Sequence, residues 1–573
     1  MTGQQWFRWV GVFQHVGEWA LGQLLSGRRA GAQRLRLDFP WGRSLLFAML
    51  CSFLIVSCQQ STPKTLTPRP GNRLVLGTTA TVETIDPANS YKIFTGALLY
   101  NLGDRLYTYK LGTDELVPQL ARDFPQVSED GLTYTIPLRQ GVLYHDGTPF
   151  NAETMAFSLN RFIQNRGAPS FLLSDLIESV QATGAYELTI QLKNPFAAFP
   201  SLLAFSGACA VSPNAYKIGQ GAFVADAFVG TGPYKLVRYG TDQLQLDAFD
   251  QYWGGKPANQ GVDIQFYSSP ANLFNAFRTG AVDVAYQSLS LDQVNKIRES
   301  AAITGWRVLE KAGGEINYLT LNVTSPPLDR LEVRQALAAI VDRQVLRDRI
   351  FQGQVEPLYT LIPSTLDEEV PTFQTTYGDS NAEKARELLT QAGYSETNPL
   401  KVEFWYRSNI ASGQLAAVTL KAIARQKLGK LLQLELRSVE STTANRLVEK
   451  GVYPTFLFDW AADFLDADNY IEPFLRCSNG STQTGCIEGS SQVQGSFYYS
   501  ERANDLVNRS RREQDPDKRR QIFAEIQQLV ADEVPYIPFW QNKDFLFTQP
   551  WIQGASLEVT QKVPLWTLRK HQA

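Results

Sequence analysis

The chain has 573 residues, of which 44% are hydrophobic and 19% charged, and its net charge is -3. That length is too great for one ordinary hydrophobic core, so two or three lobes are expected. The near balance of charge gives no reason to expect nucleic acid or an acidic surface as partner. Three histidines, two of them the terminal His15 and His571, leave little from which to build a histidine-based zinc centre.

Arg43 precedes an apolar run, SLLFAMLCSFLIVS, which stops at Cys58, and the chain then turns polar through QQSTPKTLTPRPGN. A charged flank, a short apolar segment and a polar exit read as an export signal, so residues 1–57 are excluded from the fold. Ile55, Val56, Ser57 and Cys58 resemble the lipobox of bacterial lipoproteins. That likeness implies cleavage before Cys58, lipidation of its thiol and a lipid-anchored linker over 58–70. A lipid would hold the protein at the membrane without a span, because the apolar run is shorter than the roughly 20 residues a bilayer-crossing helix needs. The competing reading is a single spanning helix in which Cys51 and Cys58 are incidental. The stretch before Arg43 is long for a leader and carries Trp6, Trp9 and Trp19, as a start read too far upstream would produce.

After the linker, RLVLGTT reads as a first strand and ETIDPANS as its turn. TGALLYNLGDRLYTY has apolar residues at helical spacing, and LTYTIPLRQGVLYHDGTPF follows as two alternating strands with an Asp-Gly turn. Asn151 is placed to cap the helix NAETMAFSLNRFI, whose Met155, Leu159 and Phe162 share one face. His145 reads as a turn residue satisfied by its neighbour Asp146, in preference to an acid-base group. ESVQATGAYELTIQL gives two more strands. The GTGPY loop that follows lacks the spacing and trailing helix of a phosphate cradle. Residues 331–350 read as one amphipathic helix with Val333, Leu337, Ile340 and Val341 inward and its Arg and Asp residues in water. A helix over 382–392, the strand KVEFWY, a helix over 414–428 and the strand LQLELRSV imply an α/β lobe. The basic runs NRSRREQ and DKRR are assigned to solvent, and Cys209 to a core position. Cys477 and Cys486 enclose a polar loop, and in an exported protein a disulfide there is favoured over a metal site.

The stretch FLFDWAADFLDADNYIEPFL, 456–475, joins an apolar strand to a dense mixture of aromatic rings and carboxylates. At the end of a core strand such a mixture suits a ligand-facing rim, where a ring gives apolar contact and a carboxylate fixes a cationic group. The competing reading is an Asp-rich turn beside a core edge. No GxSxG, HExxH or Walker sequence occurs, and the STPK tetrad lies in the linker without partner motifs.

Taken together, several blocks resemble the extracytoplasmic solute-binding proteins of family 5, the oligopeptide- and dipeptide-binding proteins of ABC transporters. They are ETIDP, LVPQLARD, LTYTIPLRQGVLYHDGTPFNAETMAFSLNR, VGTGPYKL, FRTGAVD, NYLTLN, DRLEVRQALAAIVDRQVL and WAADFLDADNY, in collinear order over residues 73–569. The resemblance implies that Asp463 pairs with the α-amino group of a bound peptide and that Trp460 begins the ligand-facing loop. It also implies that Tyr91, Lys92 and Ile93 form a short extended segment pairing with peptide backbone by strand addition. Asp459, Asp466 and Asp468 are left as capping or solvent-facing groups, and Lys92 as a possible partner for the peptide carboxyl.

The fold implied is α/β and two-lobed, of the periplasmic binding protein type II, in the large cluster with an extra inserted domain. Domain I would comprise 71–97, 205–303 and 545–573, the inserted domain II 98–204, and domain III, the second ligand-binding lobe, 304–544. The chain would then be a non-enzymatic component of an ABC importer without cofactor or metal. It would capture short peptides between lobes that close by hinge motion, and deliver them to a permease driven by a separate ATPase. It would be exported and lipid-anchored on the periplasmic side of the cell membrane. A nickel or metal-chelate binder shares the fold, so fold alone leaves the substrate class open. A membrane-anchored hydrolase or scaffold is the remaining alternative.

Overall fold

Nine strands build the central sheet: β1 (Arg73–Thr78), β2 (Tyr234–Tyr239), β3 (Gln243–Ala248), β4 (Gly261–Phe266), β5 (Val284–Tyr286), β6 (Arg307–Leu321), β7 (Val355–Pro357), β8 (Thr455–Ala461) and β9 (Tyr536–Thr548). They come from a computed structural model that describes residues 71–558 and 560–571. The expected export signal, the expected linker and Cys58 therefore lie outside the described residues.

The sheet runs in the order β8-β6-β9-β5-β1-β4-β3-β2, with β7 also paired to β9. Its β1 is parallel to β4 and β5, and every other pairing is antiparallel. The long strands β6 and β9 join its two ends. At one end β9 pairs with β5, and at the other β9 pairs with β7 while β6 pairs with β8. Midway the register passes from Ala312 opposite Lys543 to Ile316 opposite Gln541, a bulge that holds Gly313, Gly314 and Glu315. A Cβ at 313 would come within 2.8 Å of the Asp544 carboxylate, which would have to shift. Gly313→Ala is expected to lower stability by about 1–3 kcal/mol through overpacking, readable as a shifted denaturant midpoint at unchanged slope.

A second, four-stranded antiparallel sheet takes the order Gln126–Val127, Thr133–Pro137, Glu187–Leu192, Ile177–Gly184. Alternation along these strands turns Tyr134, Ile136, Leu188 and Ile190 inward, onto Met155, Leu159 and Phe162 of the helix Ala152–Gln164. Asn151 caps that helix, its side chain accepting from the Thr154 N–H at 3.0 Å. Three further cores are separate from this one, the smallest packing Val75, Leu273, Phe277 and Phe547 on the other face of β1 and β5. Of the larger two, one gathers β1, β4 and β5 with residues 546–568, and the other fills 316–540. In the latter, Leu400–Arg407 and Leu432–Val439 form a parallel pair joined by the helix Ala411–Leu428. No helix among the described residues is long and apolar enough to cross a membrane.

The single helix expected over 331–350 is broken. It ends at Ile340, Val341 and Asp342 are extended, and Asp342 restarts a short turn by accepting from the Val345 N–H at 2.9 Å. At the break the Val341 and Ala339 carbonyls accept from the Ser380 and Asn381 N–H groups, and two arginines expected in water are buried instead. Arg334 donates to the carbonyls of Leu328 and Glu533, and Arg343 to those of Leu358 and Pro538. Arg343 also reaches Asp379 at 3.1 Å.

Candidate functional site

The first wall of the site begins at Asp86 in the ETIDP turn. Its fully buried carboxylate accepts from the Ala88 and Val224 N–H groups and, through both oxygens, from the Arg161 guanidinium at 2.9 and 2.6 Å. This pins the chain just ahead of Tyr91 and Lys92. Lys92 is extended, and Ile93 opens the helix Ile93–Leu102. Of the two, only Lys92 has the extended backbone that strand addition needs. The Lys92 ammonium pairs with Glu83, so it is already engaged.

The opposite wall is the loop after β8. The Trp460 indole donates to the Asn469 carbonyl at 2.9 Å, and the Asp463 N–H donates to the Asn469 side chain at 2.9 Å. Tyr470 donates to the Gly314 carbonyl at 2.7 Å, tying the loop to the bulge of β6. Asp466 accepts from the Asp468 N–H and receives both arms of Arg519 at 2.8 and 2.6 Å. Asp468 is buried with Arg511 at 3.6 Å. Asp466 is thus the cap of the turn Ala467–Tyr470, one of the two roles expected of it, and Asp468 is an internal anchor where a capping or solvent-facing group was expected, while Arg511 and Arg519 turn inward from runs assigned to water. Asp459 lies within β8 and pairs with Arg407.

Between the walls lies a cavity of about 280 Å³. Tyr91, Lys92, Ile93 and Asp463 line it, as do Gly314, Tyr470 and Lys562. The Tyr91 hydroxyl donates across it to the Asp463 carboxylate at 2.6 Å. Burial pushes the Asp463 carboxyl up to about 6, against the stabilising pull of that hydroxyl. Trp460 does not line this cavity. It faces a wider groove of about 850 Å³ between the Phe171–Phe196 region and the loop, a groove that Asp463 also borders. Lys562, Gly314 and Tyr470 carry no sequence signal for a ligand role, because what unites them is the closure of the sheet.

His145 lies outside the site. It accepts from the Gly230 N–H at Nδ1 and contacts the Gly232 carbonyl through Nε2 at 3.0 Å, which fixes a neutral ring protonated at Nε2. Burial lowers its pKa to about 4. Its partners come from the GTGPY loop, where Asp146 was expected. Cys477 and Cys486 are bonded with Cα atoms 5.7 Å apart, and Cys209 is free and buried. Among the described residues no three His, Cys, Asp or Glu side chains gather as metal ligands.

The model of the bacterial extracellular solute-binding proteins, family 5 middle region, matches residues 115–482. The chain belongs to family 5 of these solute-binding proteins. Its family 5 relatives include the heme-binding protein A of Haemophilus influenzae, 24% identical over 478 residues that cover 79% of this chain and 83% of the relative. The dipeptide-binding protein of Escherichia coli K12 is 25% identical over 481 residues, 78% of this chain and 85% of its own. The structure of HbpA2 from Haemophilus parasuis superposes with a TM-score of 0.75 at 21% identity, covering 87% of this chain and 100% of that one. The fold is accordingly the two-lobed α/β type of periplasmic binding proteins. Family 5 proteins are extracytoplasmic and serve transport without an enzymatic step.

Proposed function

We propose that this family 5 protein captures short peptides with a free N-terminus between its lobes and delivers them to the permease of an ABC importer. A separate ATPase would supply the energy. The observation that carries this reading is the state of Asp463. Its backbone is fixed by Asn469, yet among the described residues its carboxylate has only the neutral Tyr91 hydroxyl as side-chain partner and is held near 6 by burial. An ammonium group offers what that site lacks, a counter-charge with donors at hydrogen-bond range. A dipeptide-binding relative of similar length supports the same ligand class.

With this reading we assign 71–97, 205–303 and 545–573 to the first lobe, 98–204 to an inserted domain and 304–544 to the second lobe. The separate hydrophobic cores, two of them in the first lobe, support that division. We also assign Cys58 as the lipidated residue, on its lipobox-like context.

Asp463→Asn is expected to weaken binding of an unblocked dipeptide by about 10- to 100-fold, the worth of one charge-assisted bond. Calorimetry should also show wild-type affinity falling as the pH drops below 6 and the carboxyl takes up its proton. Equal affinity in the variant, or for an N-acetylated dipeptide, would remove the amine-pairing role.

A further inference from the structure

We propose that Lys562 receives an anionic group of the ligand, so that the cavity selects small zwitterions, ammonium at Asp463 and carboxylate at Lys562. The ammonium half rests on the reading of Asp463 given above, while the Lys562 half stands on separate observations. Lys562 is half-buried and lines the same cavity as Asp463, Tyr91 and Gly314. Its ammonium lies 5.9 Å from the centre of the Tyr100 ring, and among the described residues no carboxylate pairs with it.

The anion nearest in sequence is already used. The Glu558 carboxylate accepts from the Gly112 N–H at 2.8 Å and from the Ser556 hydroxyl at 3.0 Å. Burial, and after it the like charge of the Arg105 guanidinium, lowers the amine to about 7. Arg105 itself lies behind the wall. It is 1% exposed and donates to the carbonyls of Tyr100 and Gly103 and to the Thr108 hydroxyl. Its Nε has no partner among the described residues, and the neighbouring Asp104 carboxylate acts on it through space while accepting from Gln119, Tyr252 and Trp253.

Of the two lysines that line the cavity, Lys92 is paired with Glu83 and Lys562 is not. The field across the cavity therefore runs from a carboxylate on one side to an uncompensated amine on the other, which a zwitterion matches at both ends. The volume of about 280 Å³ sits just below the roughly 300–1,000 Å³ of pockets for drug-sized ligands, so the matching zwitterion is small. A carboxylate arriving beside Lys562 favours the charged amine, so binding at pH 7.5–8 takes up a proton.

The test is calorimetry on the full chain at pH 7.5, in two buffers of different ionisation enthalpy. The probes are alanyl-alanine, its C-terminal amide and its N-acetyl derivative. Wild type should bind the free acid at least 10-fold tighter than the amide and take up more protons with the acid than with the amide, the ligand's own α-amino group, with a pKa of about 8, contributing in both cases. Lys562→Met should abolish both differences, and Lys562→Arg should restore the preference without the excess proton uptake, which guards against a folding defect. Asp463→Asn should weaken acid and amide alike and keep the preference. Equal binding of acid and amide by wild type, or a preference that survives Lys562→Met, overturns the Lys562 assignment while leaving Asp463 untouched. If the N-acetyl derivative binds as well as the free amine yet still depends on Lys562, the amine pairing fails and Lys562 stands as an anion site. No binding of any probe up to millimolar concentration overturns both.

Discussion

Asp86→Asn is expected to destabilise the protein by about 3–5 kcal/mol, the cost of leaving a buried cation without its anion. Arg161 and Asp86 are 1% and 0% exposed at their side chains, and the pair is bidentate. Removing the negative charge strands the guanidinium, whose remaining contacts are the Ala222 carbonyl at 3.0 Å and the face of Tyr216. Asparagine can accept at one oxygen only, so the Val224 or the Ala88 N–H also loses its acceptor. The effect should reach the site, because the Asp86 carbonyl accepts from the Asn89 and Ser90 N–H groups directly before Tyr91. Denaturant unfolding should show the loss at an unchanged slope, and affinity should fall as well. A replacement of both partners by apolar residues should recover much of the stability, since a buried ion pair is seldom worth more than good packing. A change under about 1 kcal/mol for Asp86→Asn would contradict this account.

Much of the fold is legible in the sequence, because it rests on periodicity. The Asn151 cap, the inward face of the following helix and the strands over 400–407 and 432–439 follow from local pattern alone. The site is legible only through the resemblance, since nothing local distinguishes Asp463 from Asp466 or Asp468. Folding makes the distinction. Asp466 and Asp468 meet Arg519 and Arg511 from helices whose basic runs look like solvated faces, while Asp463 meets a hydroxyl 372 residues away in sequence. Asp466 caps its turn as one of the expected readings had it, but the solvent-facing alternative for the acids and the solvated reading of the arginines fail together. A charged residue's exposure depends on a partner that a single helix face does not reveal. Lys562 is invisible for a related reason. Its significance lies in the anion it lacks, and QKVPL carries no pattern that records an absence.

Asp544→Asn is expected to stabilise the protein, and by an amount that depends on pH. Asp544 lies on β9 beside the bulge of β6, 3% exposed, and accepts from the Gln287 side chain at 3.2 Å. Burial pushes its carboxyl up to about 7, with Gln287 and the Lys311 charge opposing, and the charged groups that face it are Lys311 and Glu315. Glu315 is itself raised to about 7, by burial and then by the Asp544 charge, against the pull of Arg407. A carboxyl with a higher pKa folded than unfolded holds more protons in the folded state between about pH 4 and 7. Stability from this group therefore falls as the pH rises through that window, the reverse of the usual paired carboxylate. Asparagine keeps the shape and a Gln287 acceptor but never ionises. The two proteins should be equally stable near pH 4, the variant gaining about 1.4 kcal/mol per pH unit until about pH 7 and nothing further above it. Because Asp544 raises Glu315, the variant should also let Glu315 ionise more easily, which adds a smaller gain of the same sign near pH 7. Parallel stability curves for wild type and variant from pH 4 to 8 would show that the carboxylate at the bulge is solvated or paired, and the burial argument would fail with it.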